Sequence, residues 1–460
     1  MGRVRKYLVL AAAFALMAAA VALAYQAAAR DRDYRALLAR GDTAVRTEDT
    51  FAAIEAYSGA IALRPDSMLP YLRRGEAYQR RGELDQAARD FRAAGALDPT
   101  ATRPIEALGD AFYAMRRFDR AADSYSRYLQ LDDRAASVNY KLALARYQTG
   151  DVDAALETLA ATLRIDASVS DAHYLQGLCF RDKQKILEAE AAFERAIALT
   201  PAHVPAREEL ADLYRAQNRR RDELEQLWLI AELDRDQIER QVALGVAQAR
   251  AGQDEAALKT LGAVLESTPS PSAYRALGQI WLAQAQVHGE RVYVVKALEA
   301  LGRIASNPDA TSEVLTLYGR ALLMDEQLEP AELALQQAST RYPLDPASLL
   351  LYASVAERQG HLDAARQALI DHASLVADAP DAVPQALRVA DLSLKLNDPD
   401  TAVLWFGRAL RLAPEETRIL EQLADTQLRA GDPLARETIA RGLERDPGNR
   451  TLLALAKRAQ

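Results

Sequence analysis

The sequence predicts an all-α fold, a solenoid of about twelve stacked helix pairs preceded by an apolar N-terminal helix. Three residue classes recur in phase along the chain. An alanine and then a large apolar residue follow the small residue at fixed distances, as Ala53 and Tyr57 follow Gly41, with Glu223 as the one exception at the alanine position. The small residue itself returns at intervals of 34, at Gly41, Gly75, Gly109, Ala143, Gly177, Ala211 and Gly245. Because this phase persists over seven units, it indicates one short structural unit repeated many times.

The residue types explain how such a unit folds. A small residue on one helix and an alanine on the next allow the two helices to cross closely, while the large apolar residues fill the space beside the crossing. Pro65 and Pro99 follow the second helix of their units, which a proline cannot continue. Each pair leaves one apolar face uncovered, so neighbouring pairs must stack to bury it.

Length, residue classes and phase together resemble the tetratricopeptide repeat, a helix–turn–helix unit of this size. The resemblance implies a right-handed solenoid over residues 31–448, with first helices lining a concave groove that serves as a docking surface. Residues 449–460 predict a C-terminal capping helix. Asn449 is its expected N-cap, and Leu452, Leu453 and Leu455 are expected to cover the last open face.

Two irregularities interrupt the phase. Ala297 lies 19 residues after Gly278, where other units have 12. Seven extra residues equal about two helical turns, so we expect both helices of the eighth pair to be longer, with their turn at His288 and Gly289. A second irregularity of three residues falls at residues 379–384.

Residues 1–30 predict a membrane anchor or a signal peptide. Three basic residues precede an uncharged stretch from Tyr7 to Tyr25, which is nearly long enough to span a bilayer as a helix. Retention of this stretch predicts a single-pass inner-membrane protein with its repeats in the periplasm. The alternative is cleavage after Ala24 or Ala29, which would release the repeats as a periplasmic or secreted protein.

Composition excludes several classes of function. The formal net charge is −8, and the first thirty residues contain only basic charges, so the rest of the chain is more acidic still. That balance argues against a nucleic-acid partner. The chain has one cysteine, Cys179, expected to be buried and inert, and five scattered histidines. Sequence signatures of catalysis are missing. We therefore expect neither an enzyme nor a cofactor or metal site.

Acidic residues form the first candidate docking site. Asp42, Glu76 and Asp110 each follow the helix-crossing glycine of their unit. They predict an acidic stripe on the first helices that would receive basic partner residues. Under the alternative interpretation, Arg46 and Arg80, four residues further on, neutralise two of the three.

Tyrosines and arginines form the second candidate site. On the expected inner surface of units three to five, and just beyond, the sequence places Tyr113, Tyr140, Tyr147, Tyr174, Arg181 and Arg215. Tyrosine and arginine are enriched where proteins bind each other, because they combine a large contact area with polar groups. The alternative is ordinary packing between repeats.

These observations predict a non-catalytic scaffold of the bacterial envelope. It would dock peptide or helical segments of partner proteins in its groove, in polysaccharide production, export or appendage assembly. Two alternatives remain open. One is an envelope protein whose groove binds a glycan or a lipid directly. The other is a regulator of lipopolysaccharide synthesis that resembles an anchored repeat protein with a metal knuckle, which Cys179 alone could not form.

Overall fold

The protein is all-helical, as predicted. The computed structural model describes residues 2–376 and 382–459, with side chains at residue 14 and from residue 16 onward. Within those residues the chain forms 25 α-helices and no strand. Residues 377–381, which include the first half of the second predicted irregularity, lie outside the described residues.

The chain divides into two compact units, Met1–Gln226 and Leu227–Gln460. The helices of the first are α1 (Gly2–Arg46), α2 (Thr50–Leu63), α3 (Met68–Arg80), α4 (Leu84–Leu97), α5 (Thr102–Ala114), α6 (Phe118–Leu129), α7 (Ala136–Gln148), α8 (Val152–Ile165), α9 (Ser170–Asp182), α10 (Ile186–Leu199) and α11 (Val204–Ala216). Helix α12 (Arg220–Leu233) contains the division between the units.

The second unit has the same alternation of paired helices. Its helices are α13 (Ile238–Arg250), α14 (Asp254–Ser267), α15 (Pro271–His288), α16 (Arg291–Ala305), α17 (Ser312–Met324), α18 (Leu328–Ala338), α19 (Pro346–Gln359), α20 (Leu362–Leu375), α21 (Ala382–Lys395), α22 (Pro399–Leu412), α23 (Thr417–Ala430), α24 (Ala435–Arg445) and α25 (Arg450–Arg458).

Small and large residues meet at each helix crossing of the first unit. A Cβ atom added to Gly75 would lie 2.6 Å from a ring carbon of Phe91, which is fully buried. The same contact joins Gly41 to Tyr57, Gly109 to Tyr125 and Gly177 to Phe193. At the fourth crossing the small residue is Ala143, and Leu159 takes the place of the aromatic residue. In this unit the missing side chain of glycine therefore makes room for a ring.

The turns between paired helices share one backbone feature that the sequence analysis missed. Each contains a residue with φ between 58° and 84°, a left-handed conformation that favours glycine. These residues are Glu48, Gly82, Arg116, Gly150, Gln184, Asn218, Gly252, Gly289, Glu326, Gly360, Asn397 and Gly431. The first seven recur at intervals of 34, so each of the first seven pairs makes its turn at the same place in the repeat.

The eighth pair is longer, as predicted. Helix α15 has 18 residues and α16 has 15, whereas α13 and α14 in the preceding pair have 13 and 14. The first helix ends at His288, and Gly289 caps it with φ of 70°. The rings of Trp281 and Tyr293 stack with centroids 5.8 Å apart, and the ring of His288 at the end of α15 lies 5.6 Å from Tyr293, so the two helices contact each other near their displaced turn.

The last helix, α25, packs through two leucines and not three. Asn449 accepts a hydrogen bond from the backbone N–H of Leu452, as expected for its N-cap. Leu452 and Leu455 are buried against Ala424 and Ile439. Leu453 is 43 % exposed, which corrects the expectation that it covers the open face. It follows Leu452 directly, and adjacent residues on a helix do not share a face.

The apolar N-terminal stretch continues without a break into the first repeat. Helix α1 runs from Gly2 to Arg46, so one helix spans the predicted anchor and the first helix of the first pair. The side chains of residues 1–13 and 15, which form much of the predicted anchor, lie outside the described residues. In the remaining described part of the chain, no helix is both long and apolar enough to cross a membrane.

Candidate docking surface

The first helices of the pairs lie closer together than the second helices do. Within the first unit, α3 contacts α5 and α7 contacts α9, each across an intervening helix. Among the described residues of that unit, no two second helices make contact of similar extent. The face that α3, α5, α7 and α9 share is therefore the more tightly curved one. This is the face on which the sequence analysis places its candidate residues.

Three tyrosines stand on successive first helices of this face, Tyr113 on α5, Tyr140 on α7 and Tyr174 on α9. All three are half-buried. The ring of Tyr113 meets Phe118 edge to face at 5.2 Å, and that of Tyr174 lies 5.9 Å from Phe193. We call these three residues the tyrosine face. Their rings are held by the core, so they present fixed surfaces.

The hydroxyl groups of the tyrosine face are not used by the residues that the structure describes. In the described part of the chain, none of the three hydroxyls has a hydrogen-bond partner, and none is a fully buried unpaired atom. Burial raises the pKa of Tyr140 to about 12, with contributions from the charge of Asp171 and from Tyr113 and Tyr174 nearby. Each phenol therefore remains protonated at neutral pH and is available to donate a hydrogen bond.

The other three candidates on this face are engaged with neighbouring residues. Tyr147 donates a hydrogen bond of 2.8 Å to Asp182. Arg181 bridges two carboxylates, that of Asp182 at 2.9 Å and that of Glu209 at 2.5 Å. These contacts join α7, α9 and α11, so Tyr147 and Arg181 connect the repeats, as the packing interpretation of these residues predicts.

Arg215 supports a buried carboxylate. It pairs with Asp212 at 2.8 Å and with Glu223 at 2.9 Å. Glu223 is 1 % exposed and occupies the place where other units have the helix-crossing alanine. Because a buried carboxylate needs a charged partner, the guanidinium of Arg215 is committed to this pair.

The acidic residues of the first three units are paired in two different ways. Asp42 accepts a hydrogen bond of 2.8 Å from the hydroxyl of Tyr57, and Asp110 accepts one of 2.7 Å from Tyr125. The equivalent aromatic residue of the second unit is Phe91, which has no hydroxyl. Glu76 stands there in place of aspartate. The longer glutamate extends to the following repeat.

Charge neutralisation comes from neighbouring repeats, and this corrects the alternative based on Arg46 and Arg80. Arg103 of the next unit contacts Glu76 at 2.7 Å, and Arg73 lies 3.4 Å from the same carboxylate. Arg46 instead donates to Thr43 at 3.1 Å. The partners of Glu76 are thus an arginine of the next repeat and one that precedes it by three residues in α3, and not the arginine four residues further on.

A small pocket lies beside the first two acidic residues. Its volume is about 230 Å³, and its charged lining consists of Asp42, Glu76, Arg46, Arg73 and Arg80. Both carboxylates are already paired, so the pocket offers no open acidic stripe.

Lys141 is a charged residue of the face that the sequence analysis missed. Its ammonium group lies 2.8 Å from Glu106 and 2.8 Å from Asp110, both on α5. Asp171 is a second one, and its carboxylate contacts Nε2 of His203 at 3.2 Å. Asp171 lies three residues before Tyr174 on α9 and therefore on the same face of that helix, which is the signal that could have identified it. Lys141 directly follows Tyr140 on α7 and does not share its helical phase, so that signal does not identify it.

Cys179 is buried on α9, as expected. It is fully inaccessible, and burial raises the pKa of its thiol to about 12. A thiol that stays protonated at neutral pH is a poor nucleophile and a poor metal ligand.

Comparisons with known proteins agree with the repeat pattern. The tetratricopeptide repeat family model matches residues 106–170, 140–204, 174–225 and 316–382. No curated protein matches the chain in sequence.

Several solved structures are similar over part of the chain. MamA is 26 % identical, with 35 % of this chain and 93 % of that chain covered and a TM-score of 0.34. YrrB, described as a TPR protein with an unusual peptide-binding site, is 20 % identical, with 41 % and 97 % covered and a TM-score of 0.35. PilF of Pseudomonas aeruginosa is 17 % identical, with 46 % and 97 % covered and a TM-score of 0.39. The matches to the family model show that this chain carries tetratricopeptide repeats over residues 106–225 and 316–382.

Proposed function

We propose that this protein is a non-catalytic scaffold that binds extended or helical segments of partner proteins on the tyrosine face. The observation that carries the proposal is the set of three rings on successive first helices whose hydroxyls have no partner among the described residues. Packing between repeats explains the buried side of each ring but leaves the hydroxyls unexplained. A partner's backbone carbonyls would accept hydrogen bonds from them.

The energetics favour this use of the face. Half-buried rings already have restricted rotamers, so a partner gains contact area at little cost in side-chain entropy. Aromatic residues of this kind account for a large share of the affinity at protein interfaces. The engaged residues Tyr147 and Arg181 keep the first helices in fixed positions around the tyrosine face.

Replacement of two tyrosines tests the docking surface. We expect Tyr113→Ala with Tyr174→Ala to lower partner capture at least tenfold, because truncation at the centre of an interface commonly costs about 2 kcal/mol for each anchor residue. Capture is measured by pull-down from a cell extract with quantitative mass spectrometry. Circular dichroism must show unchanged helicity.

Tyr128→Ala provides the matched control. Tyr128 is also half-buried but lies on the second helix α6, away from the tyrosine face. Its replacement should leave partner capture unchanged. If the double variant captures partners as well as the original chain, the docking surface lies elsewhere.

We further propose that the beginning of α1 anchors the protein in the inner membrane, with the repeats in the periplasm. Large apolar side chains between residues 14 and 25 are 65–74 % exposed, and water is a poor solvent for such a surface. The basic residues that precede this stretch favour a cytoplasmic location for the first residues. In that place the scaffold would serve envelope processes such as polysaccharide export or appendage assembly.

Cell fractionation tests the anchor. The full chain should sediment with membranes and resist extraction with alkaline carbonate, because its apolar stretch would lie in the lipid. A chain that lacks residues 1–30 should remain in the soluble fraction. Recovery of the full, uncleaved chain in the soluble fraction would contradict the anchor, and cleavage after Ala24 or Ala29 would favour release into the periplasm.

A glycan is the second candidate ligand, since sugar rings stack on tyrosine and accept hydrogen bonds from phenols. Retention of the protein on a cell-wall glycan column, lost in the double tyrosine variant, would favour this ligand over a protein segment.

A further inference from the structure

We propose that the segment bound on the tyrosine face is an extended, basic one, rich in lysine or arginine. This inference rests on the docking function proposed above and adds the chemistry of the partner. Three contacts around the tyrosine face carry it, and each of them leaves a carboxylate charge uncompensated.

Lys141 is shared between two carboxylates. Its ammonium group lies 2.8 Å from Glu106 and 2.8 Å from Asp110. One positive charge between two negative charges leaves a net charge of about −1 at this point of the face. The cluster lies beside Tyr113, which is on the same helix as both carboxylates.

Arg181 is shared in the same way on the other side of the face. It contacts Asp182 and Glu209, so a second net negative charge remains. The side chain of Arg181 is about one-third exposed, and the cluster is therefore accessible from the solvent. Glu209 also lies close enough to Tyr174 to contribute to raising the pKa of that phenol, for which burial is the main cause.

Asp171 carries the third uncompensated charge, because its partner His203 is neutral. Nδ1 of His203 accepts a hydrogen bond from the backbone N–H of Ala206, where it caps helix α11. A nitrogen that accepts cannot carry a proton, so the ring proton is on Nε2, which donates to Asp171 at 3.2 Å. Asp171 thus keeps its negative charge, with 64 % of its side chain exposed.

The rings of the tyrosine face fit the same partner. His203 packs on Tyr174 with centroids 5.0 Å apart, which places Asp171 beside the tyrosine face. A lysine or arginine bound here would meet a carboxylate and an aromatic ring together, and both attract a cation. Helices packed in an array lie about 8–10 Å apart, so the two steps from α5 through α7 to α9 span about 20 Å, and an extended segment of about ten residues is long enough to cover them.

Peptide binding by the full chain in a non-ionic detergent tests the partner's chemistry. The probes are fluorescein-labelled peptides of about ten residues in which proline alternates with lysine, glutamine or glutamate. Fluorescence anisotropy should show that the lysine peptide binds most tightly, and that its affinity falls as salt is added. Equal or tighter binding of the glutamine or glutamate peptide, or no binding of any peptide, would overturn the proposal.

Two substitutions with opposite expected effects make the test specific. Asp171→Asn should weaken binding of the lysine peptide about threefold, the size of effect typical of an exposed ion pair. Lys141→Gln should strengthen it by about the same factor, since it frees two carboxylates. Lys141→Arg, which keeps the bridge, and Asp123→Asn, on the exposed side of α6, should leave binding unchanged.

These variants separate the two proposals. A loss of affinity in Lys141→Gln at unchanged helicity and melting temperature would contradict the basic partner. If Tyr113→Ala with Tyr174→Ala lowers capture of the natural partner while the lysine peptide shows no preference, docking stands and the inferred charge of the partner is wrong. If that double variant changes nothing, docking itself fails.

Discussion

Replacement of Gly75 by alanine is expected to destabilise the first unit by about 2 kcal/mol, although alanine is the better helix former. The added Cβ atom would lie 2.6 Å and 2.8 Å from two ring carbons of Phe91, closer than any relaxed carbon–carbon contact. Phe91 is fully buried, so its ring cannot move away without disturbing its neighbours. Urea unfolding followed by circular dichroism measures the loss.

Two further variants show whether the ring is responsible. Phe91→Leu in the same chain should recover most of the loss, because the pair then matches Ala143 with Leu159. Gly95→Ala, in α4, should instead stabilise by about 0.5–1 kcal/mol, since its Cβ would meet nothing closer than 3.9 Å. A stabilising effect of Gly75→Ala would contradict this account of the crossing. The second unit has equally close crossings without a ring, since a Cβ atom on Gly245 would lie 2.7 Å from Leu261 and one on Gly319 would lie 2.5 Å from Leu335. Its Ala390 and Phe406 share one core cluster.

Removal of the Asp90 carboxylate is expected to destabilise the first unit by about 3 kcal/mol. Asp90 is 6 % exposed and accepts two hydrogen bonds from Arg74, of 2.7 Å and 2.8 Å. In Asp90→Ala the guanidinium remains between the rings of Tyr71 and Tyr78 without its counter-charge. The melting temperature of the variant should fall accordingly.

Replacement of both Asp90 and Arg74 distinguishes the effect of an unpaired charge from the effect of lost side-chain volume. Asp90→Leu combined with Arg74→Met should be far less damaging than Asp90→Ala alone, because no charge is left unpaired and the space stays filled. If the single variant melts at the same temperature as the original chain, the pair contributes nothing and the assignment is wrong.

The helix pairs could be predicted from the sequence because their cause is local and periodic. The spacing from Gly75 to Phe91 repeats with the same phase in neighbouring units, and the seven residues added after Gly278 fit whole turns. The left-handed turn residues were harder to find. Gly82 and Gly150 suggest the position, but Glu48, Arg116 and Gln184 occupy it in other units and hide the signal.

The inner face could be located from the sequence, but the side-chain contacts on that face could not be predicted. Helical phase places Tyr113, Tyr140 and Tyr174 on one surface. Which of the charged residues are neutralised depends on side chains 28 to 35 positions apart, such as Arg181 with Glu209 and Lys141 with Glu106. The sequence suggests pairs four residues apart in one helix, which led to Arg46 and Arg80. In the structure Glu76 is paired with Arg103 of the next repeat and with Arg73 of its own helix.

The most direct test of the docking surface is crosslinking in cells from a photoreactive amino acid placed at residue 140, in the middle of the tyrosine face. We expect a defined set of proteins to be trapped, with peptides rich in lysine or arginine at the attachment points found by mass spectrometry. A photoreactive residue at position 123, on the second helix α6, should trap none of them. The same proteins recovered equally from both positions, or none from position 140, would contradict docking on the tyrosine face.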